Sequence, residues 1–175
     1  MEEITKQIGV YDKKIQEIEK RYPETKVLKQ VNGVGTRIAL TFILTLEDGE
    51  RFAHSRDVGP YLGLTRKLRD SGDSEPELGI SKAGDVLLRR LLVQAAHCIL
   101  RDGAPDSDLK VWGLTKVQAG AGKKGSKRRK KKAAVAVARK LAVLLHRLWV
   151  TGEVYDPQYN RKAVEATKGK GKAAA

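Results

Sequence analysis

The chain is 175 residues long, which gives room for one sizeable core or for a small domain with an extended helix. Lysine and arginine total 35 against 21 aspartate and glutamate residues, so the formal net charge is +14. This excess predicts a polyanionic partner, because it is larger than solubility alone requires. A single cysteine, Cys98, excludes a disulfide framework and a cysteine-rich zinc site.

Residues 1–22 are predicted to form a coiled-coil-like helix that Pro23 ends. Its apolar side chains are spaced alternately four and three residues apart, which is the heptad rhythm. Two interpretations stay open: the helix packs on its own domain, or the stripe is a seam to a second copy of the chain. The stripe consists of Ile4, Ile8, Tyr11, Ile15, Ile18 and Tyr22.

Residues 27–46 carry the pattern of a helix-hairpin-helix element. Gly33 and Gly35 permit a hairpin too tight for side chains, and they leave backbone N–H groups bare at the start of the second helix. Arg37 flanks this turn, so the pattern favours phosphate contact over a plain connector between helices. Such contact would be independent of nucleotide sequence.

Residues 65–81 form a polar, turn-rich loop between two apolar runs. On local composition alone, Asp-Ser-Gly-Asp around Ser71 is typical of an ordinary turn, and the segments beside it could pair as a short hairpin. Arginines that precede Ser71 in a chain built to hold phosphates raise a second interpretation, in which the hydroxyl attacks a phosphodiester. The basic residues predicted to contact nucleic acid here are Arg66, Lys67, Arg69 and Lys82.

Two long helices are predicted after this loop. The first begins at Gly84 or Asp85, and the second runs to Trp149 after a basic segment, residues 123–132, in which eight of ten residues are Lys or Arg. Because the basic segment joins directly onto a helix, folding would hold it in place along a nucleic-acid backbone. Its basic residues are Lys123, Lys124, Lys127, Arg128, Arg129, Lys130, Lys131 and Lys132.

No long strand pattern appears, so the fold is predicted to be mostly α, with one helical domain over residues 23–155. Residues 156–175 are of low complexity and are predicted to form a disordered tail. The histidines have no second ligand nearby in sequence, so no metal site is predicted. No apolar run is long enough to span a bilayer, which fits a cytosolic, nucleoid-associated protein without membrane contact.

The order of these features resembles the C-terminal transposase domain of the IS-one-ten family of insertion-sequence transposases, the bridge-RNA-guided recombinases. The most specific stretches are RFAHSRDVGPYLGL and GISKAGDVLLRRLL, and the resemblance covers about residues 10–160. In that family a serine attacks DNA within the layout G-L-T/A-P-R-x-x-x-S-G. Residues 63–72 match this layout, with Arg66 where the family often has proline, and the match assigns the nucleophile to Ser71.

The resemblance also implies partners. Family members pair this domain with a RuvC-like domain whose carboxylates bind Mg²⁺; that half is expected to be missing here, so the chain alone is expected to be inactive and to hold no cofactor. Duplex DNA, a structured guide RNA and a second copy of the chain are the expected partners. The alternative hypothesis is a non-catalytic module for DNA or RNA binding and dimerisation.

Overall fold

The computed structural model describes residues 2–67, 79–118 and 127–162, and these ranges confirm the prediction of a mostly helical fold. They contain no strand apart from one isolated antiparallel bridge between Arg66 and Ile80. Within the same ranges, no helix has both the length and the apolar character needed to cross a membrane. The helices are α1 (Glu2–Glu19), α2 (Thr25–Leu28), α3 (Thr36–Leu46), α4 (Val58–Tyr61), α5 (Val86–Ile99), α6 (Asp108–Gln118) and α7 (Lys127–Thr151), with 3₁₀ turns at Gly49–Arg51 and Ser55–Asp57.

Helix α7 is the centre of the fold, because α2, α4, α5, α6 and both 3₁₀ turns pack against it. Its buried residues recur every three or four positions, which places them on one face of the helix. Many of them are alanines, so neighbouring helices can approach closely. The buried set is Ala133, Ala134, Val137, Ala138, Leu141, Ala142, Leu145, His146 and Leu148.

Helix α6 lies especially close to α7 at Gly113. A Cβ at this glycine would lie 2.6 Å from both Leu100 Cδ2 and Val137 Cγ2, so no side chain fits without displacing a neighbour. The two helices can therefore approach this closely only because glycine has a hydrogen atom in place of a side chain. This spacing fixes where the exposed side chains of α6 stand relative to those of α7.

Helix α5 has the buried face that its apolar spacing predicts. The side chain of Asp85 caps its first turn by accepting a hydrogen bond from Leu88 N at 2.6 Å. The helix then packs against α3 and α7. Its buried residues are Leu88, Leu91, Leu92, Ala95, Ala96 and Ile99.

His146 is buried in α7 and fastens the segment between α3 and α4 to the core. Its Nε2 lies 2.8 Å from Gly49 O, and its Nδ1 lies 3.0 Å from Ser55 Oγ. A carbonyl only accepts, so Nε2 carries a proton and donates it to Gly49 O. Both bonds join parts of the chain more than ninety residues apart.

The ends of the 65–81 loop are held together by a close backbone contact. Gly63 and Gly84 both have positive φ, and a Cβ at either one would lie within 2.3 Å of backbone atoms on the other side of the loop base. Ser81 N donates to Thr65 O at 2.8 Å, and Lys67 N donates to Gly79 O at 3.0 Å. These contacts hold the two ends of the loop side by side at its base.

The chain after α7 folds back onto the start of α6. Asp108 N donates to Pro157 O at 2.7 Å, and the Arg161 guanidinium donates to Asp108 Oδ1 at 2.8 Å and to Asp106 Oδ2 at 2.7 Å. The predicted disordered tail began at residue 156, and the structure instead packs residues 156–162. Ion pairs between distant segments leave no periodic pattern, so composition alone missed them.

Candidate nucleic-acid interface

The exposed face of α7 forms the floor of an open groove, here called the α7 groove, with a volume of about 2520 Å³. Its floor residues run from Arg128 to Arg147 at helical spacing. Helix α6 contributes Trp112 and Lys116, and the base of the 65–81 loop contributes Arg66, Ile80 and Lys82. One long basic helix, a short helix and the loop base thus meet around one concave surface.

The α7 groove is strongly positive. Among the described residues, eleven basic side chains line it against three carboxylates, Asp108, Glu153 and Asp156. Each carboxylate is already paired with a basic group, at 2.8 to 3.0 Å. Other groove residues have no ion pair with any described residue, so their charge is uncompensated within the described parts of the chain. These residues are Arg56, Arg66, Lys82, Lys116, Lys131, Arg139 and Lys140.

The structure brings together part of the predicted binding set. Arg66, Lys82, Arg128, Lys131 and Lys132 all line the α7 groove. The remaining predicted residues of the basic segment within the structure, Lys127, Arg129 and Lys130, belong to the first turns of α7, and Lys67 follows Arg66 at the loop base. Predicted residues outside the described ranges are Arg69, Ser71, Lys123 and Lys124.

Sequence reasoning missed the groove residues beyond the basic segment. Arg139 and Lys140 lie about two helical turns after Lys132 on the same face of α7, so extending the helical period along the chain would have found them. Arg56, Trp112 and Lys116 carry no such signal, because they reach the groove only through tertiary packing.

The predicted hairpin lies apart from the α7 groove, and its first helix, α2, is a single turn. Gly33 packs against α5, where a Cβ would lie 3.1 Å from Ala95 O. Gly35 precedes α3 as its N-cap residue and supplies no side-chain cap, and a Cβ there would meet nothing within 4 Å. Its backbone is therefore accessible, as phosphate contact requires; the contact of Gly33, Gly35 and Arg37 with phosphate stays a prediction.

A carboxylate of the chain itself stands at this helix start. Glu19 accepts hydrogen bonds from Lys29 Nζ at 2.8 Å and from Thr36 Oγ1 at 3.0 Å. The Lys29 hydrogen bond is the largest cause that lowers the pKa of Glu19, so the carboxylate is held in its charged form. An anion from α1 thus already faces the positive end of α3.

No group of three or more His, Cys, Asp or Glu side chains in residues 2–67, 79–118 and 127–162 is placed to hold a metal ion. The three groove carboxylates face basic partners instead of converging on one another. These residues do not fit a Mg²⁺ site, and no chemical step is assigned to metal on this part of the chain.

Comparison with known proteins identifies the domain. Residues 25–110 match the model of the transposase IS116/IS110/IS902 family. These residues are a transposase domain of that family. The match spans α2 to the start of α6, and it includes the 65–81 loop and its base.

Curated relatives extend the similarity over most of the chain. The transposase for insertion sequence element IS1111A of Coxiella burnetii is 32% identical over 149 residues, which are 85% of this chain and 39% of the relative. The putative transposase y4pF/y4sB of Sinorhizobium fredii is 30% identical over 156 residues, 87% of this chain and 38% of the relative. The transposase for insertion sequence element IS1328 of Yersinia enterocolitica is 39% identical over 74 residues, which are 42% of this chain and 22% of the relative. The chain thus spans about two fifths or less of each relative.

Glu19→Gln tests the attachment of α1 to α3. A lowered pKa in the folded state means that the charged carboxylate stabilises the fold above its unfolded pKa, near 4.5, and that this stability is lost as the pH falls through the folded pKa. We expect the substitution to lower the free energy of unfolding at pH 7 by up to about 1 kcal/mol, since the pair is partly exposed. Urea titrations at pH 7 and at successively lower pH values should show the difference vanishing.

Glu17→Gln is the matched control for this experiment, because Glu17 is exposed on the same helix and has no ion pair with any described residue. It should leave the unfolding free energy nearly unchanged. If Glu19→Gln lowered the free energy of unfolding by the same amount in acid as at pH 7, the loss would come from packing. That result would contradict a stabilising role for the charged carboxylate.

Proposed function

We propose that this chain is the part of a transposase that holds DNA and bears the nucleophile. The observation that carries the proposal is the α7 groove, where seven basic side chains without an ion pair to any described residue gather around the base of the 65–81 loop. From Arg128 to Arg147 the floor is roughly 29 Å long at 1.5 Å per residue, enough to follow several phosphates of a duplex. Contacts of this kind position DNA without reading its sequence.

Binding should therefore fall steeply with salt. Replacing Arg128, Lys131 and Lys132 by alanine should lower the slope of log affinity against log salt by up to about 3 units, because each duplex phosphate contributes about 0.9. Fluorescence anisotropy with a labelled duplex at several salt concentrations measures this slope.

The control removes the same number of basic side chains outside the α7 groove, with Lys6 and Lys13 of α1 and Lys20, which follows α1, replaced by alanine. That variant should keep most of the slope of the unmodified chain. Equal decreases of the salt slope in the two variants would mean that only the total positive charge matters, and not its position. An unchanged slope in the groove variant would reject the groove as the DNA site.

We also propose that Ser71 is the nucleophile, on the basis of the family layout over residues 63–72 and of Arg66, Ile80 and Lys82 at the groove. The serine oxygen forms a bond to phosphorus, the phosphorus bond to a deoxyribose oxygen breaks, and the departing oxygen takes up a proton. The serine proton passes to a base. A serine hydroxyl is a weak nucleophile, so we assign its activation to a RuvC-like half with Mg²⁺-binding carboxylates.

Supplying a RuvC-like half together with Mg²⁺ and DNA should yield a protein–DNA adduct that survives denaturation. Ser71→Ala should abolish the adduct while salt-dependent binding persists, because the loop hydroxyl is not needed to hold phosphates. Denaturing gel electrophoresis with labelled DNA measures the adduct.

Ser74→Ala is the control and should retain the adduct. An adduct in Ser71→Ala would assign the attack to another hydroxyl. Complete absence of an adduct with intact binding would favour the alternative, a non-catalytic module that holds DNA or a structured guide RNA. We propose guide RNA as a second ligand of the basic surfaces, from the resemblance and the charge alone.

We propose a second role for α1, as a seam to another copy of the chain. None of its residues is buried, and Ile4, Ile8, Tyr11 and Ile18 are between 40% and 63% exposed. Isolated apolar side chains at a surface are ordinary, but a heptad stripe left uncovered along one helix is what a coiled-coil partner buries.

The isolated chain should then be at least a dimer at micromolar concentration. Ile8→Asp should produce monomers, because it buries an unpaired charge in the seam. Light scattering measures the mass. Lys13→Asp places the same charge on the opposite side of α1 and should leave the dimer intact; a monomeric unmodified chain would reject the seam.

A further inference from the structure

Two lysines from different helices share one tryptophan ring in the α7 groove. Lys140 Nζ of α7 lies 4.1 Å from the centroid of the Trp112 ring, and Lys116 Nζ of α6 lies 5.6 Å from it. A tryptophan face attracts an ammonium group through its quadrupole. The ring therefore holds two positive charges near each other at one place on the groove surface.

The two ammonium groups repel each other without compensation. Neither has a carboxylate partner in the described parts of the chain. Partial burial, and then the charge of Lys116, lowers the pKa of Lys140. A cation–π contact is a weaker partner for an ammonium than an anion is.

The arrangement is fixed by helix packing. Gly113 lies next to Trp112 in sequence and permits the close approach of α6 to α7, where any side chain would meet Leu100 and Val137. The core packing thus fixes the backbone positions of the two lysines relative to each other, and the shared ring lies between the two helices. A site built in this way needs little reordering when an anion arrives.

We propose that Lys116 and Lys140 together bind one phosphate of the DNA duplex backbone, with Trp112 holding both ammonium groups in place. The inference rests on the proposed function of the α7 groove and adds a specific phosphate site to it. Duplex DNA is the ligand we assign, because the groove also reaches the base of the loop that carries Ser71. The site adds an anchor on α6 to the line of charges along α7.

A double-mutant cycle tests whether the two lysines share one phosphate. Lys116→Ala and Lys140→Ala should each lower the salt slope of duplex binding by about 0.9, and the double variant should lose no more than either single variant. Lys140→Arg keeps the charge and should retain the slope. Lys13→Ala, on α1, is the matched control and should change nothing.

A second measurement uses the unmodified chain and needs no variant to fold. Brief acetylation followed by mass spectrometry reports how accessible each lysine is. Saturating duplex should protect Lys116 and Lys140 several-fold, while Lys6 and Lys13 on α1 stay equally reactive.

The outcomes separate this inference from the proposed function. The salt slope could fall in the triple variant of Arg128, Lys131 and Lys132 and stay unchanged in both Lys116→Ala and Lys140→Ala. That result would support the groove as the DNA site and overturn the proposed phosphate site. Additive losses in the double variant would mean two independent contacts and would also overturn it. Losses seen with an RNA duplex and absent with DNA would assign the site to RNA, against the proposal. Absence of any duplex binding would reject the groove itself.

Discussion

The packing of one face of α7 is the constraint on which the rest of the structure depends. A stripe dominated by alanine and leucine draws α5, α6 and the short segments around α4 onto the helix, and small residues let them come close. Once that face is buried, the other face is left as the floor of the α7 groove. The close contact at Gly113 then decides that Trp112 and Lys116 stand beside Lys140. Core packing and the candidate interface are two consequences of one arrangement.

The groove is assembled against local electrostatic preference. Helix α7 begins with Lys-Arg-Arg-Lys-Lys-Lys and has no acidic residue in its first turn, although the start of a helix favours negative charge. Pairs such as Lys127 and Lys131 repel at a spacing of four residues, which costs about 0.2–0.5 kcal/mol each. A polyanion along this face relieves both penalties. Local rules that fail together at one surface are typical of a functional site.

Sequence reasoning succeeded where the signal is local and periodic. The spacing of Leu88, Leu91 and Leu92 predicted the buried face of α5. Part of the predicted basic segment, residues 123–132, lines the α7 groove, and its contact with nucleic acid stays a prediction. Sequence reasoning failed where single contacts join distant segments. The bonds of His146 to Gly49 and Ser55, and the packing of residues 156–162 on α6, depend on which elements meet in space. No window along the chain contains that information.

The structure offers two positive places for a polyanion, and charge decides between them. At the start of α3, Glu19 already pairs with Lys29 and Thr36, so an incoming phosphate would have to face a resident carboxylate. In the α7 groove the three described carboxylates each pair with a basic group, and seven basic side chains have no ion pair with a described residue. This difference in charge is why we propose the groove, and not the start of α3, as the main site for the polyanion. Glu19 instead fixes α1 against α3, so a second copy docked on the exposed stripe of α1 would hold its own groove at a set position relative to the first.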